Sequence, residues 1–183
     1  MAPASSHRPP PPRRAVVALG SNMRHPRLGR SPAVLAAAVE ALARGGFEVL
    51  AVAPVTETAP VGPSRRRFAN GAVLGLWRGS AEELLELCLA VERAFGRRRR
   101  RRWGPRVLDC DLLLVGGEAA RAPGRVGSGL VLPHPELHRR RFVLDPLSAL
   151  WPEWRHPRLG LSVRQLRFRL ARRRAVDSPV ASA

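Results

Sequence analysis

The chain has 183 residues, 45% of them apolar, which is enough for one sizeable core and cramped for two. Its 32 basic residues against 14 acidic ones give a formal net charge of +18, a surface that attracts polyanions. Every basic residue is arginine, and lysine, isoleucine and tyrosine are absent. A Walker phosphate loop, a kinase strand lysine and any Schiff-base or pyridoxal chemistry are therefore excluded, whereas phosphate clamping by guanidinium groups is not.

Two cysteines, Cys88 and Cys110, make neither a disulfide framework nor a paired metal-ligand spacing, so reduced, buried thiols in a cytoplasmic protein are expected. The start of the chain has no secretory pattern, because it is proline-rich and its first apolar run covers only residues 15–19. No stretch approaches the length of a membrane span.

Residues 1–14 combine a four-proline run with arginines and read as a disordered tail. A single domain is expected over 15–176, followed by a frayed tail at 177–183. Residues 15–19 form an apolar strand closed by a Gly20-Ser21-Asn22 turn. Ser31 and Pro32 then supply an N-cap and first-turn proline for a helix that Gly45 and Gly46 stop. Residues 47–55 and 68–77 are β-type runs that should pair antiparallel. Ser80 with Glu83 spells a capping box, after which Leu84, Cys88, Val91 and Phe95 share one helical face. A strand at 107–115 completes a βαββαβ order, the split βαβ pattern of ferredoxin-like α+β folds. A glycine-rich loop, a short 130–132 segment, a helix at 142–150 and a capped helix from Ser162 extend it.

The segment from Arg97 to Val115 carries the most chemical information. Six consecutive arginines at 97–102 lead through Trp103-Gly104-Pro105-Arg106 into Val107-Leu108-Asp109-Cys110-Asp111 and three leucines. Residues i and i+2 of a strand share a face, so Asp109 and Asp111 project together about 6 to 7 Å apart. At that distance the two carboxylates repel by roughly 2.5 kcal/mol at an effective dielectric near 20, so they need arginine partners or divalent cations. Mg²⁺ that also carries substrate phosphates fits the second option. A plain run of arginines reads as a solvated patch or a nucleic-acid contact, but this continuation points elsewhere. The pair His134 and His138 does not make a zinc-protease motif, because Pro135 stands where that motif needs glutamate.

The Trp103-Gly104-Pro105-Arg106 and Asp109-x-Asp111 segment closely resembles the signature of the 6-hydroxymethyl-7,8-dihydropterin pyrophosphokinase family. The resemblance runs from about Val16 to Pro157 through separate segments in the right order. Val17-Ala18-Leu19-Gly20-Ser21-Asn22 looks like the family's first strand and turn, Thr58-Ala59-Pro60-Val61-Gly62-Pro63 like its substrate loop, and Phe68-Ala69-Asn70 like the aromatic-x-Asn element. Glu92 with Gly96-Arg97-x-Arg99, and Pro133-His134 with Arg140-x-Phe142-Val143-Leu144, match later blocks.

The resemblance implies an ATP- and Mg²⁺-dependent enzyme of folate biosynthesis that transfers the diphosphate of ATP to the pterin hydroxymethyl group, releasing AMP. By it, Asp109 and Asp111 would hold two Mg²⁺ ions, and Arg97 and Arg106 would contact the reacting phosphates. Phe68 and Phe142 would sandwich the pterin, with Asn70 and the main chain at Thr58, Ala59 and Val61 reading its edge. Trp103 and Arg102 would close over the site, and Glu92, Arg99, His134 and Arg140 would serve ATP. A monomer binding no membrane and no specific nucleic acid is expected, with a basic RNA- or DNA-binding ferredoxin-like module as the rival. A nucleotidyltransferase using the same carboxylates is a second rival. Departures from the family pattern include Met23-Arg24-His25-Pro26 in place of a Gly-Asp-type turn, Pro135, Ala149, and arginines at 65, 66 and 67.

Overall fold

A computed structural model describes residues 11–58, 67–96, 107–116, 120–121 and 130–177. The chain runs through β1 (Arg13–Ser21), α1 (Ser31–Arg44), β2 (Glu48–Val52), β3 (Thr56–Thr58), β4 (Phe68–Trp77), α2 (Ala81–Ala94) and β5 (Asp109–Val115). It continues through β6 (Ala120–Arg121), β7 (Val131–Leu132), a 3₁₀ turn (Leu137–Arg139), α3 (Arg141–Leu150) and α4 (Val163–Asp177). The main sheet is antiparallel throughout, in the order β2-β4-β1-β5, with β3 also on β4. β6 and β7 form a separate antiparallel pair.

The sheet is covered on both faces, and that is why residues 15–19 of β1 are apolar without alternation. Ala15, Val17 and Leu19 of β1 pack with Val34, Leu35, Ala38 and Leu42 of α1 and with Leu84, Cys88 and Val91 of α2. On the other face Val16 joins Ala72, Leu74, Leu113 and Leu114 against Val143, Leu144 and Leu147 of α3 and Val163 and Leu166 of α4. Burying each such leucine or valine contributes ~1.5–3 kcal/mol, so these two clusters hold the layers together. Among the described residues no helix is long and apolar enough to cross a membrane.

Local signals set most of the element ends. Ser80 accepts from Glu83 N at 3.1 Å while Glu83 Oε2 accepts from Ser80 N at 2.6 Å, closing the expected capping box. A second reciprocal pair, Gln165 N to Ser162 Oγ and Ser162 N to Gln165 Oε1, starts α4. α1 differs from expectation, since Arg30 is its N-cap, without a side-chain hydrogen bond, and Ser31 is already helical. The strand expected over 47–55 is shorter, Glu48–Val52, and a further short strand, β3, forms at Thr56–Thr58 where a loop was expected. A register shift between Val49 and Ala51 and the missing N–H of Pro54 interrupt the ladder, and β3 resumes it further along β4. β1 begins at Arg13, two residues inside the expected tail, where Arg13 Nη2 donates to Gly79 O at 2.9 Å.

Candidate active site

The sheet brings three separated sequence segments into one row. In the register, Gly20 of β1 lies between Asn70 of β4 and Asp109 of β5, and Ala18 is paired with Asp111. Cys110 and Leu112 point into the core under α1 and α2, so Asp109 and Asp111 project from the opposite face, as their spacing requires. The pairing of β1 with β5 slips only between Val16 and Val17, beyond the two aspartates, so their common orientation is undisturbed. Leu113, passed over by that slip, accepts His134 N through its carbonyl at 2.8 Å.

Asn70 is 6% exposed, and its amide is fixed by donation from Nδ2 to Thr58 Oγ1 at 2.9 Å and to Phe68 O at 3.4 Å. These bonds tie β3 to β4 and turn Oδ1, an acceptor, over Gly20. Phe68 is half-buried at the start of β4, on the same face as Asn70. α3 packs across β3 and β4 on that face, and its second residue is the half-buried Phe142. Arg140 connects the aromatic side to the turn before it, with its guanidinium 5.9 Å from the Phe142 ring centre and its Nε 3.6 Å from Glu136 Oε2. Thr58, Phe68, Asn70, Asp109, Asp111, Arg140 and Phe142 thus belong to one face of the molecule.

His134 follows β7, and its Nδ1 accepts from Glu136 N at 3.2 Å. In the neutral ring that bond leaves the proton on Nε2, a donor suited to an anion. His138, the other histidine of the segment, turns instead to His156, with ring centres 5.7 Å apart. Ala59, Val61, Arg97, Arg99, Arg102, Trp103 and Arg106 lie outside the described residues.

Glu92, expected on the ATP side of the site, lies on α2. It is 2% exposed on the core face of α2, and its Oε1 accepts Cys110 N at 2.8 Å, at the residue between the two aspartates. A charged acceptor makes this a strong bond, so α2 holds β5 by the centre of its Asp-x-Asp segment. Its helical position one turn after Cys88, on the apolar face, was the available signal for burial.

The charged groups that shift the two buried thiols beside this strand are carboxylates. Burial, then the charges of Glu92 and Asp111, push the Cys88 thiol up to about 12. The Cys110 thiol is raised well above 9.0, first by burial, then by Cys88, Glu92 and both aspartates. Both cysteines are free, buried and held as neutral thiols, so neither serves as a nucleophile or thiolate ligand. Among the described residues no group of three or more His, Cys, Asp or Glu side chains could enclose a metal ion. Two carboxylates on one strand face could supply part of an oxygen donor set, of the kind hard cations complete with phosphate and water.

A model of the 7,8-dihydro-6-hydroxymethylpterin-pyrophosphokinase (HPPK) family matches residues 16–152. The chain is 37% identical over 155 residues to the 2-amino-4-hydroxy-6-hydroxymethyldihydropteridine pyrophosphokinase of Synechocystis sp., covering 83% of this chain and 73% of that one. It is 41% identical over 142 residues to the protein of the same name from Methylorubrum extorquens, covering 76% and 84%. In fold it is similar to Plasmodium falciparum HPPK-DHPS, with a TM-score of 0.76 at 13% identity over 96% of this chain. That match spans about half the length of the Plasmodium chain, 47%. The rival reading as a nucleic-acid module finds no support among these relatives. With the matched span running from β1 through α3 and including every site residue described above, the chain belongs to the HPPK family.

Proposed function

We propose that this protein transfers the β,γ-diphosphate of ATP to the hydroxymethyl group of 6-hydroxymethyl-7,8-dihydropterin in folate biosynthesis, as an Mg²⁺-dependent cytoplasmic monomer. The observation that carries the reading is the row Asn70, Gly20, Asp109, which sets an amide acceptor for a heteroaromatic edge beside a pair of strand carboxylates. The names of the relatives supply the pterin and the pyrophosphokinase activity, and the strand order β2-β4-β1-β5 supports a ferredoxin-like split βαβ core.

Phe68 and Phe142 would stack on the pterin ring, and Asn70 Oδ1 would accept from its N–H edge, with Thr58 holding the amide in that orientation. Thr58, Ala59 and Val61 are assigned main-chain contacts to the same edge. Asp109 and Asp111 would hold two Mg²⁺ ions together with triphosphate oxygens, and the ions supply charge neutralisation and Lewis acidity there. Glu92 keeps the two carboxylates in register through Cys110 N. Arg97, Arg106 and Arg99 are assigned to the phosphates, and Arg102 and Trp103 to closure over the site. His134, through Nε2, and Arg140 are assigned to ATP.

The hydroxymethyl oxygen then attacks the β-phosphorus in line. A new P–O bond would form there as the bond to the α,β-bridging oxygen breaks, AMP would depart with that oxygen, and the hydroxyl proton would pass to water. Positioning and charge neutralisation supply most of the rate. Incubation with ATP, Mg²⁺ and the reduced pterin, followed by nucleotide chromatography, should yield AMP and pterin diphosphate in equal amounts. ADP as the pterin-dependent product would overturn the assignment of the reaction, and pyrophosphate release would favour a nucleotidyltransferase.

A further inference from the structure

The outer face of α4 is built from charge around one ring. Val163 and Leu166 of this helix are buried in the core and Leu170 packs against it, so these positions mark its inner side. At 3.6 residues per turn Phe168 stands opposite them, and it is 64% exposed, more than any other large apolar side chain among the described residues. Arg164 and Arg172, one turn to either side, share its face, and Arg167 and Arg169 flank it; all four are exposed. The Arg172 guanidinium lies 5.9 Å from the Phe168 ring centre. Arg164 is paired with Glu153 and Arg167 with Asp145, each at 2.6 Å, whereas Arg169 and Arg172 make no ion pair among the described residues. A lone apolar residue on a surface is ordinary. An aromatic ring centred among four arginines, on a chain of net charge +18, is a more particular combination.

Guanidinium groups beside an exposed ring suit a ligand that alternates negative charge with flat rings. A single-stranded polynucleotide is such a ligand: its phosphates meet the arginines while a base stacks on the aromatic side chain, and every base has a face to offer. A duplex hides those faces and leaves only phosphate. A membrane surface fits less well, because a helix lying in lipid presents an apolar side to it, and the apolar side of α4 is turned into the core. We propose that the outer face of α4 is a docking surface for single-stranded nucleic acid, with Phe168 as the stacking platform and Arg169 and Arg172 as phosphate contacts. Stacking and phosphate contact read no base edges, so this binding is tolerant of sequence. None of these residues belongs to the candidate active site, so the surface adds a function beside the enzyme and does not replace it.

The test is fluorescence anisotropy of a labelled oligouridylate of about 12 nucleotides, titrated with the full chain. Mg²⁺ and a non-hydrolysable ATP analogue are kept saturating, so that the active site does not compete for the probe. Phe168→Ala should weaken binding at least fivefold, the lower end of what one stacked base contributes, and Phe168→Trp should bind at least as tightly as the wild type. Arg169→Gln and Arg172→Gln should each make the affinity less steeply dependent on salt, by about one phosphate contact. Melting temperature and AMP release should stay at wild-type values in all four variants, since every altered side chain is exposed. Binding by Phe168→Ala within twofold of the wild type overturns the proposal, as does a duplex of the same length bound as tightly as the single strand, because the face then acts through charge alone. Binding to phosphatidylserine vesicles that is lost on Phe168→Ala, with the oligonucleotide unaffected, overturns it in favour of a membrane.

Discussion

Two glycines of the same sheet, one at each end, show what separates a packed end from an open one. Gly75 of β4 is paired with Ala15 and Val49, and a Cβ there would lie 2.5 Å from both Glu48 O and Phe47 Cε1. Phe47, 1% exposed, already fills the place of a side chain, so this glycine is demanded by its neighbours. Gly20 meets no such obstacle, yet no neighbouring side chain among the described residues comes closer than 3.8 Å to where its own would be. Among the described residues, the same residue type thus marks a completed core at one end of the sheet and room for a side chain at the other. Packing distance, more than residue identity, tells the two apart.

The largest expected effect is on chemistry at the open end. Asp109→Ala or Asp111→Ala should lower AMP release by about 10³-fold or more, the scale of several kcal/mol of lost charge stabilisation. The protein should remain folded, since neither carboxylate belongs to the two buried apolar clusters. Near-normal turnover of either variant at saturating Mg²⁺ would remove the functional contrast between the two ends.

The closed end should respond in the opposite way. Gly75→Ala forces a methyl group against backbone and a buried ring, for which overpacking costs ~1–3 kcal/mol. A lowered denaturation midpoint is expected, with KM for both substrates unchanged in the protein that remains folded. Unaltered stability would mean that Phe47 and Glu48 yield easily, and the distinction drawn between the two glycines would lose its basis.

A smaller effect should follow from thinning the aromatic pair. Phe142→Ala removes one stacking face, and aromatic pairs are worth ~0.5–1.5 kcal/mol beyond area burial, so pterin affinity should fall roughly two- to tenfold with nucleotide affinity unaffected. Titration calorimetry with the pterin and with the ATP analogue separates the two. Weakened nucleotide binding alone would move Phe142 from the pterin side to the ATP side.

The mildest prediction concerns pH. His138 and His156 both have pKa values lowered from 6.5, each first by burial; next in order come Arg139 for His138 and His138 itself for His156. A folded-state value below the unfolded one means that the unfolded chain binds protons first on acidification. Their contribution to stability is therefore complete above pH 6.5 and is lost as pH falls through the folded values beneath it. Thermal melts should drop between pH 7.5 and 5.5, and the drop should shrink in His156→Gln. A melt independent of pH over that interval would show that the pair does not titrate there.

Much of this protein could be read without coordinates where the determinants are local. The apolar run of β1, the reciprocal bonds at Ser80 and Ser162, and the shared face of Asp109 and Asp111 follow from periods of two and 3.6 residues and from side chains reaching three positions along the chain. The family resemblance was legible for a related reason, since its motifs are contiguous segments. Other features depended on partners distant in sequence. The slip of β2 along β4 between Val49 and Ala51, next to the break at Pro54, depends on the neighbouring strand. The inward turn of Glu92 required a backbone N–H that only the packing of α2 on β5 supplies. Thr58 fixes the Asn70 amide because β3 resumes the ladder beside β4.

The sequence by itself determined which residues could carry charge, stack or ligate, because those are properties of the side chains and of short spacings. Only the tertiary structure decided that Asn70, Gly20 and Asp109 stand in one row. Cross-strand register is settled by the simultaneous burial of two sheet faces under four helices, a balance that no single segment contains.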